Sequence, residues 1–149
     1  MKDVIIYTDG SCLNNPGPGG WAAILKYGKH ERVLSGHSSA TTNNRMEMQA
    51  ALEALIALKE PCRVRLHTDS QYLRMGFAAG WILGWRSRNW RTSSGQPVKN
   101  QDLWQALWEQ AQVHKIQWIK VKAHANNRLN NRVDGLAVKA RNRGMRSGR

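Results

Sequence analysis

The sequence predicts an α/β fold in which strands and helices share one domain. Three observations carry this reading. Short apolar runs alternate with helical segments; two of those runs, "VIIYT" and "RVRLHT", stop at Asp9-Gly10 and Asp69-Ser70; and the long segment from about Asn44 to Lys59 keeps an apolar face at helical spacing. The order of three strands, helix, strand, helices, strand and helix requires crossover connections, so the sheet is parallel at least in part.

The first strand, residues 4–8, runs into the dense turn signals of "NNPGPGG" (14–20). "WAAILKY" (21–27) and "RVLSGHS" (32–38) flank a glycine-bearing turn and predict a hairpin or meander. The long helix stops before Pro61, and residues 63–68 form the next strand. Helical segments are expected near 70–78 and 80–87, then an irregular stretch over 88–100 and a helix from Gln101 to about Gln112. "KIQWIKV" (115–121) is the fifth strand, 122–130 a polar loop, and 131–143 a basic helix. One domain spans 1–143, and 144–149 reads as a basic, disordered tail.

The 149 residues suffice for one domain with its own core, and no run of about 18 apolar residues suggests a membrane span. The N-terminus shows no signal-peptide pattern, so a cytoplasmic location is expected, with Cys12 and Cys62 as free thiols. A net charge of +13, from 23 Lys and Arg against 10 Asp and Glu, favours a polyanionic partner, nucleic acid first among them.

Against that trend stand four acids. Asp9 and Asp69 each follow a strand, Glu47 lies one turn into the long helix, and Asp134 near the start of the last. In parallel sheets the strand C-termini gather at one edge, where sites form. Each acid also has an ordinary role available. Glu47 fits a capping box led by Asn44, Asp9-Gly10 is a common turn pair, Asp69 suits a helix cap, and Asp134 suits a helix N-terminus. On a helical wheel, however, Glu47 falls on the face of Ala51, Ala54, Leu55 and Leu58, which is the wrong side for a solvated acid. Carboxylates packed at one edge repel unless a cation sits among them, and Mg2+ prefers such oxygen ligands. Neither cysteine belongs to a zinc-binding pattern.

"YTDGSCLNNPGPGGWA", "TTNNRMEMQAALEAL", "HTDSQY", "WRTSSGQPVKNQDLW" and "VKAHANN…VD" together resemble bacterial type 1 ribonuclease H, from Val4 to about Ala140. The resemblance implies the ribonuclease H-like fold, a central mixed five-stranded sheet flanked by helices, and hydrolysis of the RNA strand of RNA/DNA hybrids, leaving 5′-phosphate and 3′-hydroxyl ends. It implies that Asp9, Glu47, Asp69 and Asp134 hold two Mg2+ ions, replaceable by Mn2+, in a monomeric enzyme. His124 matches a histidine associated with proton transfer or product release. The 2′-hydroxyl that marks RNA calls for small polar groups and exposed backbone. Gly10, Ser11, Cys12, Asn15, Asn43, Asn44 and Gln71 fit that requirement, and Thr42 with Asn15 resembles a pocket for a DNA phosphate. The acid-free stretch from Trp81 to Lys99 resembles the family's basic protrusion: Arg86, Arg88, Arg91 and Lys99 would hold DNA phosphates, with Trp81, Trp85 and Trp90 either contacting the strand or packing with Trp104 and Trp108. The alternative is a catalytically silent nucleic-acid-binding module of the same fold.

The chain departs from the family pattern around His124. Ala123 stands where a glycine is usual, Asn127 where a second histidine is usual, and Asn130-Asn131 replaces an Asn-Glu pair. Less negative charge near Asp134 implies altered metal affinity or pH dependence with activity retained.

Overall fold

The computed structural model describes residues 1–121 and 127–147. The chain forms β1 (Lys2–Cys12), β2 (Gly17–Tyr27), β3 (His30–Thr41), α1 (Asn43–Ile56), β4 (Cys62–Thr68), α2 (Gln71–Ala78), α3 (Trp81–Ser87), α4 (Gln101–Val113), β5 (Lys115–Lys120) and α5 (Arg128–Ser147). The strands make one mixed five-stranded sheet in the order β3-β2-β1-β4-β5. β1, β2 and β3 form an antiparallel meander, whereas β4 lies parallel to β1 and β5 parallel to β4. Among the described residues, no helix is long and apolar enough to cross a membrane.

Alternation along the central strands divides the core into two layers. Val4 and Ile6 of β1 with Val64 and Leu66 of β4 face a large apolar layer built from Met48, Ala51 and Leu55 of α1 and Leu103, Trp104 and Leu107 of α4. Tyr7 of β1 with Ala22 and Ile24 of β2 faces the other way, onto Val133 and Ala137 of α5. The sheet is therefore a middle layer whose two faces are covered by different helices. Trp104 is fully buried, and its indole nitrogen donates to the Tyr72 hydroxyl at 3.1 Å, satisfying its one polar group. Arg45 forks onto the Asp102 carboxylate at 3.0 and 2.7 Å, tying the first turn of α1 to that of α4.

Three local expectations change. Asp9 lies within β1, not beyond it, because pairing with β2 carries the strand on to Cys12. The cap of α1 is Thr42, whose hydroxyl accepts from the Arg45 amide at 3.2 Å, so the helix begins at Asn43 and Glu47 sits too deep to close a capping box. Residues 144–147 continue α5 where a disordered tail is expected. Gly144 packs against His37 and the Arg143 guanidinium donates to Ser35 at 3.2 Å, which ties this last turn to β3.

The seat of α5 depends on backbone approach at Gly20 of β2. A Cβ there would overlap the Arg141 nitrogen and the Ala137 carbonyl. Neither backbone atom can turn aside as a flexible side chain does. Gly20→Ala is expected to cost about 2–3 kcal/mol, read as a lower urea midpoint at unchanged slope.

Candidate active site

Three elements deliver the carboxylates. Asp9 comes from β1, Asp69 directly follows its parallel neighbour β4, and Glu47 comes from the second turn of α1. Gly10 makes the last approach possible. A Cβ on it would lie 2.6 Å from the Glu47 amide nitrogen and 2.7 Å from the Met46 carbonyl carbon, so only glycine lets α1 rest against β1 here. Carboxylate oxygens of Asp9, Glu47 and Asp69 then fall within 4.8 Å of one another. Asp9 and Glu47 are buried, whereas Asp69 is exposed. Asp134, from α5 on the other face of the sheet, is not one of the three whose oxygens fall within 4.8 Å, but it lies near enough to Asp9 to raise its carboxyl.

The ordinary roles are taken by other residues. Ser70, not Asp69, caps α2 by accepting from the Leu73 amide at 3.1 Å. Asp134 is the seventh residue of α5, beyond its first turn.

Burial raises the Asp9 carboxyl to about 7, with Asp134 and Asp69 adding to the rise. Burial also lifts Glu47 well above its ordinary value, with the Asp9 charge adding to it. Asp69, exposed as a residue, still loses part of the water around its carboxyl to its neighbours, which raises it, and the Asp134 charge adds to the rise. The donor set is all oxygen, and the buried Oε2 of Glu47 has no hydrogen-bond partner. Hard oxygen donors, mutual repulsion and an orphaned buried oxygen together fit a divalent cation such as Mg2+.

The remaining predicted residues fall in two groups. Asn15 accepts from the Asn43 amide at 2.9 Å beside the Thr42 cap, so Asn15, Thr42 and Asn43 meet where the β1–β2 turn touches α1. Asn44 and Gln71 are exposed. Ser11 and Cys12 lie at the end of β1, with the Cys12 thiol turned onto the Thr41 carbonyl at 3.4 Å. In the protrusion, Trp85 and Trp90 pack on the core, and Trp85 stands 5.4 Å from Trp104. Trp81 is 37% exposed with its edge toward Tyr72. Arg86 lies 4.4 Å over the Trp108 ring, while Arg88, Arg91 and Lys99 are exposed. His124 lies outside the described residues, as does Ala123.

Asn127 has a role that the sequence did not disclose. Its Oδ1 accepts from the Leu129 and Asn130 amides, both at 3.1 Å, which caps α5. Its Nδ2 donates to the Tyr7 hydroxyl at 3.1 Å. Tyr7 in turn stacks on His67 with ring centroids 4.3 Å apart, and burial lowers the His67 pKa. Asn before a helix was a readable cap signal, but the predicted start at residue 131 hid it.

The RNase H family model matches residues 1–142. Ribonuclease H of Symbiobacterium thermophilum is 56% identical over 137 residues, covering 92% of this chain and 93% of that protein. Ribonuclease H of Thermus thermophilus is also 56% identical, over 89% of this chain and 80% of its own length. Among solved structures, LC9-RNase H1, a type 1 RNase H, superposes with a TM-score of 0.84 at 31% identity, covering 95% of this chain and 73% of that one. Fold and site thus define a metal-binding member of the RNase H-like class. The chain belongs to the RNase H family, with the bacterial type 1 ribonucleases H.

Two outcomes follow from the geometry. Because the folded Asp9 carboxyl sits at about 7, above its ordinary 3.8, the folded chain binds the extra proton between those values. The contribution of Asp9 to metal-free stability should therefore be fully present below about pH 4 and be lost as pH rises through about 7. Thermal melts in chelator of the parent and Asp9→Asn check this: the difference between their melting temperatures should change across that pH range. Asn127→Ala should cost about 1–2 kcal/mol through the lost cap, measured by urea denaturation, with Tyr7→Phe costing less because it leaves the cap intact.

Proposed function

We propose that Asp9, Glu47, Asp69 and Asp134 hold two Mg2+ ions, replaceable by Mn2+, and that this site hydrolyses the RNA strand of RNA/DNA hybrids to 5′-phosphate and 3′-hydroxyl ends. The observation that carries the reading is the convergence of Asp9, Glu47 and Asp69 within 4.8 Å, two of them buried, in a chain of net charge +13. Bound ions would activate the attacking water and offset charge developing on the phosphate. The chain's own part is to orient and to discriminate. Buried Asp9 and Glu47 give the cluster a fixed floor, and exposed Asp69 and Asp134 leave its outer side open to the strand. No side chain need attack the phosphate.

His124, a group that titrates near neutral pH, would move a proton at the leaving oxygen or assist product release. The polar rim of Gly10, Ser11, Asn15, Thr42, Asn43, Asn44 and Gln71 would follow the hybrid's sugars and phosphates. Arg86, Arg88, Arg91 and Lys99 would hold the DNA strand, with Trp81 the most exposed of the protrusion's three tryptophans. All four acids come from one chain, which supports action as a monomer, and free thiols suit the reducing cytoplasm.

The test is a labelled RNA/DNA hybrid incubated with Mg2+, Mn2+ or chelator, beside single-stranded RNA and duplex DNA. Cleavage confined to the hybrid's RNA strand and lost in chelator is expected. Asp69→Asn and Glu47→Gln should fold, bind the hybrid and lose at least about a hundredfold in rate. Absence of metal-dependent cleavage by the parent chain would overturn the assignment.

A further inference from the structure

Arg141 is an arginine whose surroundings do not account for it. Its Nη1 donates to the Ser11 hydroxyl at 2.7 Å and its Nε to the Asn142 side-chain oxygen at 3.3 Å. Both partners are neutral. The ion pairs among the described residues use Lys2, Arg45, Arg63 and Arg132, so this half-buried guanidinium keeps its full charge and three unspent N–H donors.

Its location is fixed by the fold. Arg141 follows Asp134 by seven residues, two helical turns, so the two share a face of α5 about 10 Å apart. Ser11 follows Asp9 by two residues, which puts both side chains on one face of β1 about 7 Å apart along the strand. Ser11 pairs with Gly20, the position where the Arg141 backbone rests directly on β2. The guanidinium, bonded to Ser11, is thus held two residues along β1 from Asp9, about 7 Å by strand rise, a place from which it can meet a phosphate next to the one at the carboxylates.

We infer that Arg141 is a substrate-binding residue: Ser11 orients its guanidinium to grip an RNA-strand phosphate next to the one at the carboxylates. Ser11 then serves the substrate through Arg141 as well as through its own backbone. Arginine suits this task because its planar fork matches phosphate oxygens and stays charged at every relevant pH. The inference rests on the proposed hybrid substrate.

The experiment compares the full parent chain with Arg141→Gln, Arg141→Lys and, as a charge-loss control at the far end of the sheet, Lys115→Gln. Hybrid binding is measured in chelator across a salt series, and KM and kcat in Mg2+. Arg141→Gln should weaken binding and raise KM about three- to tenfold, leave kcat within about twofold, and reduce the salt slope by about one. Arg141→Lys should keep the slope, and Lys115→Gln should match the parent. An unchanged slope with a lowered melting temperature in Arg141→Gln would make Arg141 a structural brace for Ser11. An unchanged slope with altered Mg2+ affinity would make it a counter-charge to the acids, and either result overturns the inference. Because the binding series needs no metal, a parent that binds but does not cleave overturns the proposed activity while leaving the Arg141 contact standing.

Discussion

Carboxylates gathered in a poorly solvated edge repel one another, and most of this fold can be understood as the framework that holds them there. Removing Asp9 and Glu47 from water disfavours their charged forms, and each neighbouring charge adds to the penalty. Among the described residues, none of the four carboxylates takes part in an ion pair that would offset it. The strain is carried instead by two apolar layers, one on each face of the sheet. A site that costs free energy when empty gains it when a divalent ion enters, so binding and folding are linked at these residues.

Close backbone approach is the means by which the framework reaches the site. Gly10 lets α1 bring Glu47 to Asp9, and Gly20 lets α5 lie on β2 with Asp134 and Arg141 facing the end of β1. Asn127 braces both partners of the Asp9–Asp134 pair: it caps the helix that carries Asp134 and bonds to Tyr7, two residues before Asp9. The result is a cluster built on strands and helices whose positions are set by packing, the condition for holding reacting groups to a fraction of an ångström.

Positive charge is arranged in the opposite manner, outward and largely unpaired. The tryptophans between the protrusion's arginines illustrate why. Trp85 and Trp90 join the cluster around buried Trp104, forming a rigid base, and Arg86 lies across Trp108. Aromatic residues there anchor the segment to α4, and the cations at its surface remain available to a polyanion. A long-range attractive surface around a local negative centre lets a phosphate backbone approach while reserving the centre for cations.

How much of this was legible follows from the range of the forces involved. Local pattern by itself determined the five strands, the long helix and the α/β order, because alternation, helical spacing and Gly or Pro punctuation act over a few residues. The same helical count placed Glu47 on the apolar side of α1. The motif contexts around Asp9, Glu47, Asp69 and Asp134 marked the acids as a set. Tertiary structure alone decided what those residues do to one another. Glu47 proved to be no capping residue because Thr42 took that place, and Asp9 stood within β1 because β2 extended its pairing. Residues 144–147 became helix through contacts with β3, more than a hundred positions away. Asn127 and Arg141 gained roles through Tyr7 and Ser11, each at least 120 residues distant in the chain. Such contacts depend on which faces the sheet buries and how closely two backbones approach, quantities that exist only once the layers have packed.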